Sequence, residues 1–76
     1  LHEAAQVQLE IYDMYGRLIQ ILLSADQQEG EYQQIWKGTN SNGSTCKQGF
    51  YFCRLTAKTT DGKIIEKTTK LLRIEQ

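Results

Sequence analysis

Apolar and polar residues alternate with period two over much of this chain. In residues 6–13, Val7, Leu9 and Ile11 stand between Gln8, Glu10 and Tyr12, the pattern of a strand with one face buried. Asp13-Met14-Tyr15-Gly16-Arg17 then reads as a short hairpin turn. Gly16 supplies the positive φ that a turn followed by a bulge requires, and Asp13 is placed to hydrogen-bond the turn's backbone. A second strand is predicted from Arg17 to Ser24. Its apolar residues fall on both faces, Ile19, Ile21 and Leu23 on one and Leu18 and Leu22 on the other, so it is either an inner strand or one that a bulge switches midway.

Ala25 to Gly30 is a polar loop, and Glu31 to Trp36 forms a third predicted strand with Tyr32, Gln34 and Trp36 on one face. Residues 37–49 are dense in Gly, Asn, Ser and Thr, which is turn chemistry, with room for a very short strand at Thr45-Cys46-Lys47. Phe50 to Thr59 is the clearest strand, with Tyr51, Cys53, Leu55 and Ala57 on one face and Phe50, Phe52 and Arg54 on the other. Thr60-Asp61-Gly62-Lys63 is a second hairpin signal. The last segment, Lys63 to Gln76, fits two readings. Ile64, Ile65, Thr68, Leu71 and Leu72 suit an amphipathic helix, with Glu66 four residues before Lys70. Its β-branched residues and the Asp-Gly turn before it favour an antiparallel strand instead. Short strands separated by turn signals, with no clear helix, predict an all-β sandwich.

Composition narrows the function. A chain of 76 residues makes one domain at most, and such a domain buries only about 60% of its unfolded surface, leaving little room for a deep catalytic cleft. No apolar run exceeds the four residues Phe50-Tyr51-Phe52-Cys53, and Ile21-Leu22-Leu23 is the longest aliphatic one, far short of a membrane span. Residues 1–20 alternate polar and apolar without a basic start, unlike a signal peptide. Nine basic and nine acidic residues give no net charge, which argues against a general nucleic-acid binder. The charge is uneven, though. Residues 1–31 hold six acids and one base, and residues 32–76 hold eight bases and three acids. The simpler reading is that N- and C-terminal strands pair and neutralise each other; the alternative is a basic face on Lys63, Lys67, Lys70 and Arg73 that meets a partner.

Candidate chemistry is sparse. Trp36 suits a core position with its indole N–H on a backbone partner, with ligand stacking as the alternative. Tyr12, Tyr15, Phe50 and Phe52 are either cross-strand packing pairs or an exposed aromatic strip. Cys46 and Cys53, the only cysteines, are read as two buried small hydrophobes, with a disulfide across the Gly49 turn as the alternative if the backbone folds back. One His and two Cys are too few for a typical structural zinc site, so no metal or cofactor is expected. Asn40-Ser41-Asn42-Gly43 lacks the carboxylates of a calcium loop and reads as a hydrogen-bonded turn. Ser24, His2 and Asp26 can be assembled into a triad only on paper, because nothing in the pattern brings them together. No enzymatic function is expected, and no catalytic residue is assigned.

Several stretches together resemble a known family. Val7 to Arg17, with its Leu9, Ile11, Tyr12, Asp13, Gly16 and Arg17, resembles the first hairpin of the Ig-like modules near the C-termini of many Bacteroidetes secreted proteins. The Gly30 to Gly49 stretch around Trp36 and Gly38, and the Gly49-x-Tyr51-x-x-x-Leu55 strand, are similar to the same modules. Lys70-Leu71-Leu72-Arg73-Ile74 resembles the closing strand of type IX secretion sorting domains. The hairpin, the Trp-Gly corner and the Gly-x-Tyr strand also resemble the Ig-like domain of the flagellar hook-capping protein. The resemblance implies a small antiparallel Ig-like β-sandwich of about six or seven strands over residues 1–76, held by Gly16, Trp36, Gly49, Tyr51 and Gly62. It implies a non-catalytic sorting and surface-anchoring domain, secreted or on the cell surface by way of the periplasm. Its recognition strand would be Lys70 to Ile74, and its partners would be secretion machinery or neighbouring domains of the same parent chain. A structural spacer or assembly module is the second expectation, and carbohydrate binding through Trp36 a third. The family carries Asp where this chain has Lys37 and Asn40, and it reverses the order of Gln34 and Ile35. It also commonly begins with a further strand that this chain lacks, which would leave a sheet edge open to a partner.

Overall fold

The computed structural model describes residues 3–74. Four strands, β1 (Ala5–Asp13), β2 (Leu18–Gln27), β3 (Gly49–Thr59) and β4 (Ile64–Arg73), form one antiparallel sheet in the order β2-β1-β3-β4. There is no helix among the described residues. The C-terminal segment, readable from sequence as strand or helix, is β4. The turn at Asp61-Gly62 folds it back along β3, where it pairs from Lys58↔Ile64 to Gly49↔Arg73.

The two hairpins are set by the turn chemistry visible in the sequence. Gly16 has φ 80° and Gly62 has φ 89°, a region that side-chain-bearing residues rarely adopt. Oδ1 of Asp13 accepts the N–H groups of Tyr15 and Arg17, both at 2.9 Å, and its Oδ2 accepts Nε–H of Arg17 at 2.8 Å. In the second turn the buried Thr59 hydroxyl donates to the Asp61 carboxylate and accepts the Lys63 N–H at 3.1 Å.

Alternation along the strands gives the sheet two unlike faces. On one face Val7 lies opposite Ala57, Leu9 opposite Leu55 and Ile11 opposite Cys53. Ala5, Val7 and Ala57 form the centre of this core, packed by Leu23 and Leu55, and Ile11 is fully buried. The other face sets Gln6, Gln8 and Glu10 against Lys58, Thr56 and Arg54, and is polar along its middle. In β2 the register against β1 skips at Leu22 and again at Ile19. The bulge foreseen from its two-faced apolar pattern is therefore present, in duplicate.

The second layer differs from expectation. The sequence suggests six or seven strands in a sandwich, whereas the described residues form four strands in one sheet. The stretch expected as a third strand, Glu31 to Trp36, crosses the apolar face without joining a ladder. Tyr32 and Gln34 line one opening with Leu55, Gln34 and Trp36 line another with Cys53, and Trp36 meets Tyr51 edge to face. The residues after it turn back in a tight loop. Oδ1 of Asn40 accepts the N–H groups of Asn42 and Ser44 at 3.0 Å each, and the Cys46 N–H donates to the Gly38 carbonyl at 2.8 Å. The short strand foreseen at Thr45-Cys46-Lys47 reduces to a single bridge, Thr39↔Thr45. The Ser41 N–H donates to the Ile19 carbonyl at 3.0 Å and ties this loop to the bulged part of β2.

Strands from the acidic and basic halves of the chain do pair: β1 lies against β3 with Glu10 opposite Arg54, and Arg54 also pairs with Glu66 of β4 at 2.6 Å. Lys63, Lys67 and Lys70 stay exposed along the outer strand. A half-covered sheet leaves much surface in water: 5847 Å², against roughly 4,800 Å² for a compact monomer of this mass.

Two predictions follow from the core and the turns. Ile11→Ala should cost about 2–5 kcal/mol and leave the chain largely unfolded in urea titration, because a core this small supplies little more than that. N–H donors from Arg17 hold the Asp13 carboxyl below the ordinary aspartate range, and the Thr59 hydroxyl does the same for Asp61. A lowered folded value means the unfolded chain binds more protons in this window. The stabilisation is complete above the ordinary aspartate range and is lost as pH falls through the lowered values. Thermal melts should therefore be flat near neutrality and fall steeply below about pH 4, and Asp13→Asn with Asp61→Asn should flatten that fall.

Candidate interaction surface

The stretch 31–36 covers the apolar face thinly and leaves an opening on each side of Gln34. The larger is an open groove of about 660 Å³ with Leu9, Cys53 and Leu71 in its floor and Trp36, Lys37 and Ile74 at its rim. The smaller, about 290 Å³, lies over Val7, Leu23 and Leu55 beside Tyr32. Apolar surface of this kind, bordered by polar groups, suits protein contact better than it suits chemistry on a small molecule.

Trp36 and Tyr51 hold the covering stretch down. Their rings meet edge to face with centroids 4.9 Å apart. The indole Nε1–H donates to the Thr39 carbonyl at 2.8 Å, and the hydroxyl of the buried Tyr51 donates to the Lys47 carbonyl at 2.7 Å. Burial raises the Tyr51 hydroxyl above its ordinary pKa. Each end of the Gly38–Gly49 loop is thus fastened by one aromatic side chain. Gly38, at φ 76°, is buried against Arg73, and a Cβ there would collide with that side chain. The sequence marked Gly38 as part of a wide turn and of the Trp-Gly corner. Its contact with a residue 35 positions later had no signal in the local pattern.

Of the five residues expected to form a recognition strand, Leu71, Leu72, Arg73 and Ile74 line the groove and Lys70 stands outside it. Leu71 lies opposite the buried Tyr51 and, like Arg73, is half-buried on the groove side. Lys70 and Leu72 belong to the alternate positions, opposite Phe52 and Phe50, and the Lys70 ammonium stands 4.2 Å from the centre of the Phe50 ring. Ile74 follows the strand and is exposed. Gly49 opens β3 with φ 141°. Tyr12 lies opposite Phe52 and beside Arg54, so these rings are a cross-strand pair, whereas Tyr15 stands exposed on the first turn under Arg17.

Cys46 and Cys53 are both half-buried free thiols. Burial raises the Cys53 thiol above its ordinary value, which makes it a poorer nucleophile. No group of three or more His, Cys, Asp or Glu side chains gathers among the described residues. His2, needed for the paper triad with Ser24 and Asp26, lies outside them. No helix of the described residues is long and apolar enough to cross a membrane.

These features define a small all-β unit with a half-covered apolar face and two glycine-built hairpins. The FlgD Ig-like domain matches residues 1–61, about four-fifths of the chain, and the chain belongs to that family. The matched residues take in β1, β2, the covering stretch and β3, and end in the second turn before β4. No curated protein and no solved structure matches.

Trp36 is the only tryptophan, which makes the anchoring optically visible. Trp36→Phe keeps the ring contact with Tyr51 and loses the indole hydrogen bond, and should cost about 1 kcal/mol in urea titration. Tyr51→Phe should shift the Trp36 emission while leaving far-ultraviolet circular dichroism unchanged.

Proposed function

We infer that this domain is a non-catalytic assembly module, which joins its parent protein to a protein neighbour through the half-covered apolar face. The observation that carries the reading is the groove of about 660 Å³, whose floor of Leu9, Cys53 and Leu71 is of core character yet remains open to water. Membership of the FlgD Ig-like family supports a structural or assembly role. Carbohydrate stacking on Trp36 is disfavoured, because its ring is already packed on Tyr51 and its N–H already spent on Thr39.

A second reading is sorting and surface anchoring by type IX secretion machinery, on a secreted or cell-surface protein that passes through the periplasm. It draws on the resemblance of Lys70 to Ile74 to a closing sorting strand, and on the exposure of Leu72 (57%) and Ile74 (68%). These residues lie beyond the part matched by the family.

Two measurements separate the readings. A photo-crosslinker at Ile74, on the groove rim, should capture a defined protein neighbour in the native host, and one at Lys58, on the polar face, should not. Equal capture from both positions would remove the groove from the account. A reporter fused ahead of residue 1 in a type IX-competent bacterium should tolerate Leu72→Ser with Ile74→Ser if the module only assembles, and should stay inside the cell if the strand is read for sorting. Substitution is the cleaner test than deletion of residues 70–76, since deletion would remove the Lys70–Arg73 half of the β4 ladder.

A further inference from the structure

We propose that the outer edge of β4 is a self-association site, where two copies of the chain pair antiparallel about a two-fold axis through Thr68 and run one sheet into the other. The inference concerns a different surface from the groove and stands without the assembly reading.

β4 is a long, regular edge. It is last in the order β2-β1-β3-β4, and its register with β3 runs from Ile64 to Arg73 without a bulge. Among the described residues no strand lies on its far side. The Thr59 N–H donates to the Lys63 carbonyl at 2.9 Å, and this fixes which way each later residue points. Hydrogen-bonded pairs alternate along an antiparallel ladder, so Ile65, Lys67, Thr69, Leu71 and Arg73 turn their backbone groups toward β3. Ile64, Glu66, Thr68, Lys70 and Leu72 turn theirs outward, and all five are exposed. Ile64, 64% exposed, stands near one end of this edge, and Leu72 near the other. A long edge with apolar side chains left in water is what strand addition uses.

The side chains choose a second copy and one register. An axis through Thr68 sets Glu66 against Lys70 of the second copy and Lys70 against Glu66. On the same face Ile64 meets Leu72, and Thr68 meets itself. On the groove face Ile65, 52% exposed, meets Leu71, and Lys67 meets Thr69. The one like-charged pairing, Lys63 with Arg73, falls at the ends, where Lys63 already has Asp61 at 3.5 Å. Moving the axis to Lys67 sets that lysine against itself. Moving it to Thr69 sets Glu66 against Leu72 and Lys67 against Leu71, and axes at Glu66 or Lys70 set a charge against its like. Only the Thr68 register matches charge with charge and apolar with apolar.

The packing allows it. The axis stands perpendicular to the sheet, so the two sheets lie side by side. Each β1–β3 seam keeps its own cover, and the two seams are four strand spacings apart, about 19 Å. The opposite edge is less fit for a like partner. β2 is broken by two bulges, and its Ile19 carbonyl already accepts from Ser41.

Sedimentation equilibrium of the 76-residue chain over a concentration series should show a monomer–dimer equilibrium, with a dissociation constant on the order of micromolar to millimolar. Glu66→Lys and Lys70→Glu should each weaken the dimer about tenfold, since each sets like charges face to face at both symmetry-related places. Mixed in equal amounts, these two variants should form a heterodimer close in affinity to the unsubstituted dimer, because each supplies the charge the other lacks. Thr68→Pro removes the outward N–H at the axis and should abolish the dimer. Circular dichroism should show its monomer intact, because the ladder with β3 does not use that N–H. A chain that stays monomeric at about 1 mM overturns the proposal. So does a dimer indifferent to Thr68→Pro, and so do charge variants that gain nothing from being mixed. A missing dimer leaves the groove reading in place, because Leu9 and Cys53 in its floor lie outside β4.

Discussion

An apolar sheet face has to be kept from water, and in this protein that task falls to a stretch of chain that forms no sheet of its own. The seam between β1 and β3 brings Val7, Leu9 and Ile11 against Ala57, Leu55 and Cys53, and the resulting face is the whole core. Everything else answers to its cover. The Asn40 loop turns the covering chain back, Trp36 and Tyr51 pin it, and Ser41 fastens the loop to the irregular part of β2. The covering stretch is narrower than the four-stranded sheet below it. The grooves on either side of Gln34 are the geometric remainder.

The strands were legible in the sequence because each carries its pattern locally. Val7, Leu9 and Ile11 alternate within one stretch, and so do Tyr51, Cys53, Leu55 and Ala57. The two hairpins announce themselves through Gly16 and Gly62, which must take a positive φ. The ambiguity at residues 63–76 was real: a run of Ile, Thr and Leu satisfies both periods, and only pairing with β3 selects one. The second layer was misjudged for a related reason. Tyr32, Gln34 and Trp36 do share a face, as alternation implied, but alternation reports burial on one side and says nothing of a neighbour in the hydrogen-bonding direction. The contact between Gly38 and Arg73, and the routing of charge through Arg54 to Glu66, join residues far apart in sequence and had no local signature.

The same separation explains why structural residues were easier to find than functional ones. Gly16, Trp36, Gly49, Tyr51 and Gly62 act on their immediate surroundings, where turn geometry and side-chain size are informative. Lys70 to Ile74 were grouped as a run. A strand divides any run between two faces, and Leu71 and Lys70 consequently look in opposite directions. The groove is assembled from four segments, with Leu9, Trp36, Cys53 and Leu71 all lining it.

The placement of the seam has a consequence for how the chain reaches this structure. β1 with β2 and β3 with β4 are hairpins closed by short turns, and such units form in microseconds. The seam between them pairs Ala5 with Thr59, residues far apart in the chain, so its loop-closure entropy is met before any burial rewards it. The two hairpins are the early species and their docking is the slow step. Because the fully buried Ile11 sits on that seam, opening it is equivalent to unfolding, whereas β2 and β4 fray from the outside with little cost. Hydrogen exchange of this protein will read as two slow central strands between two faster ones.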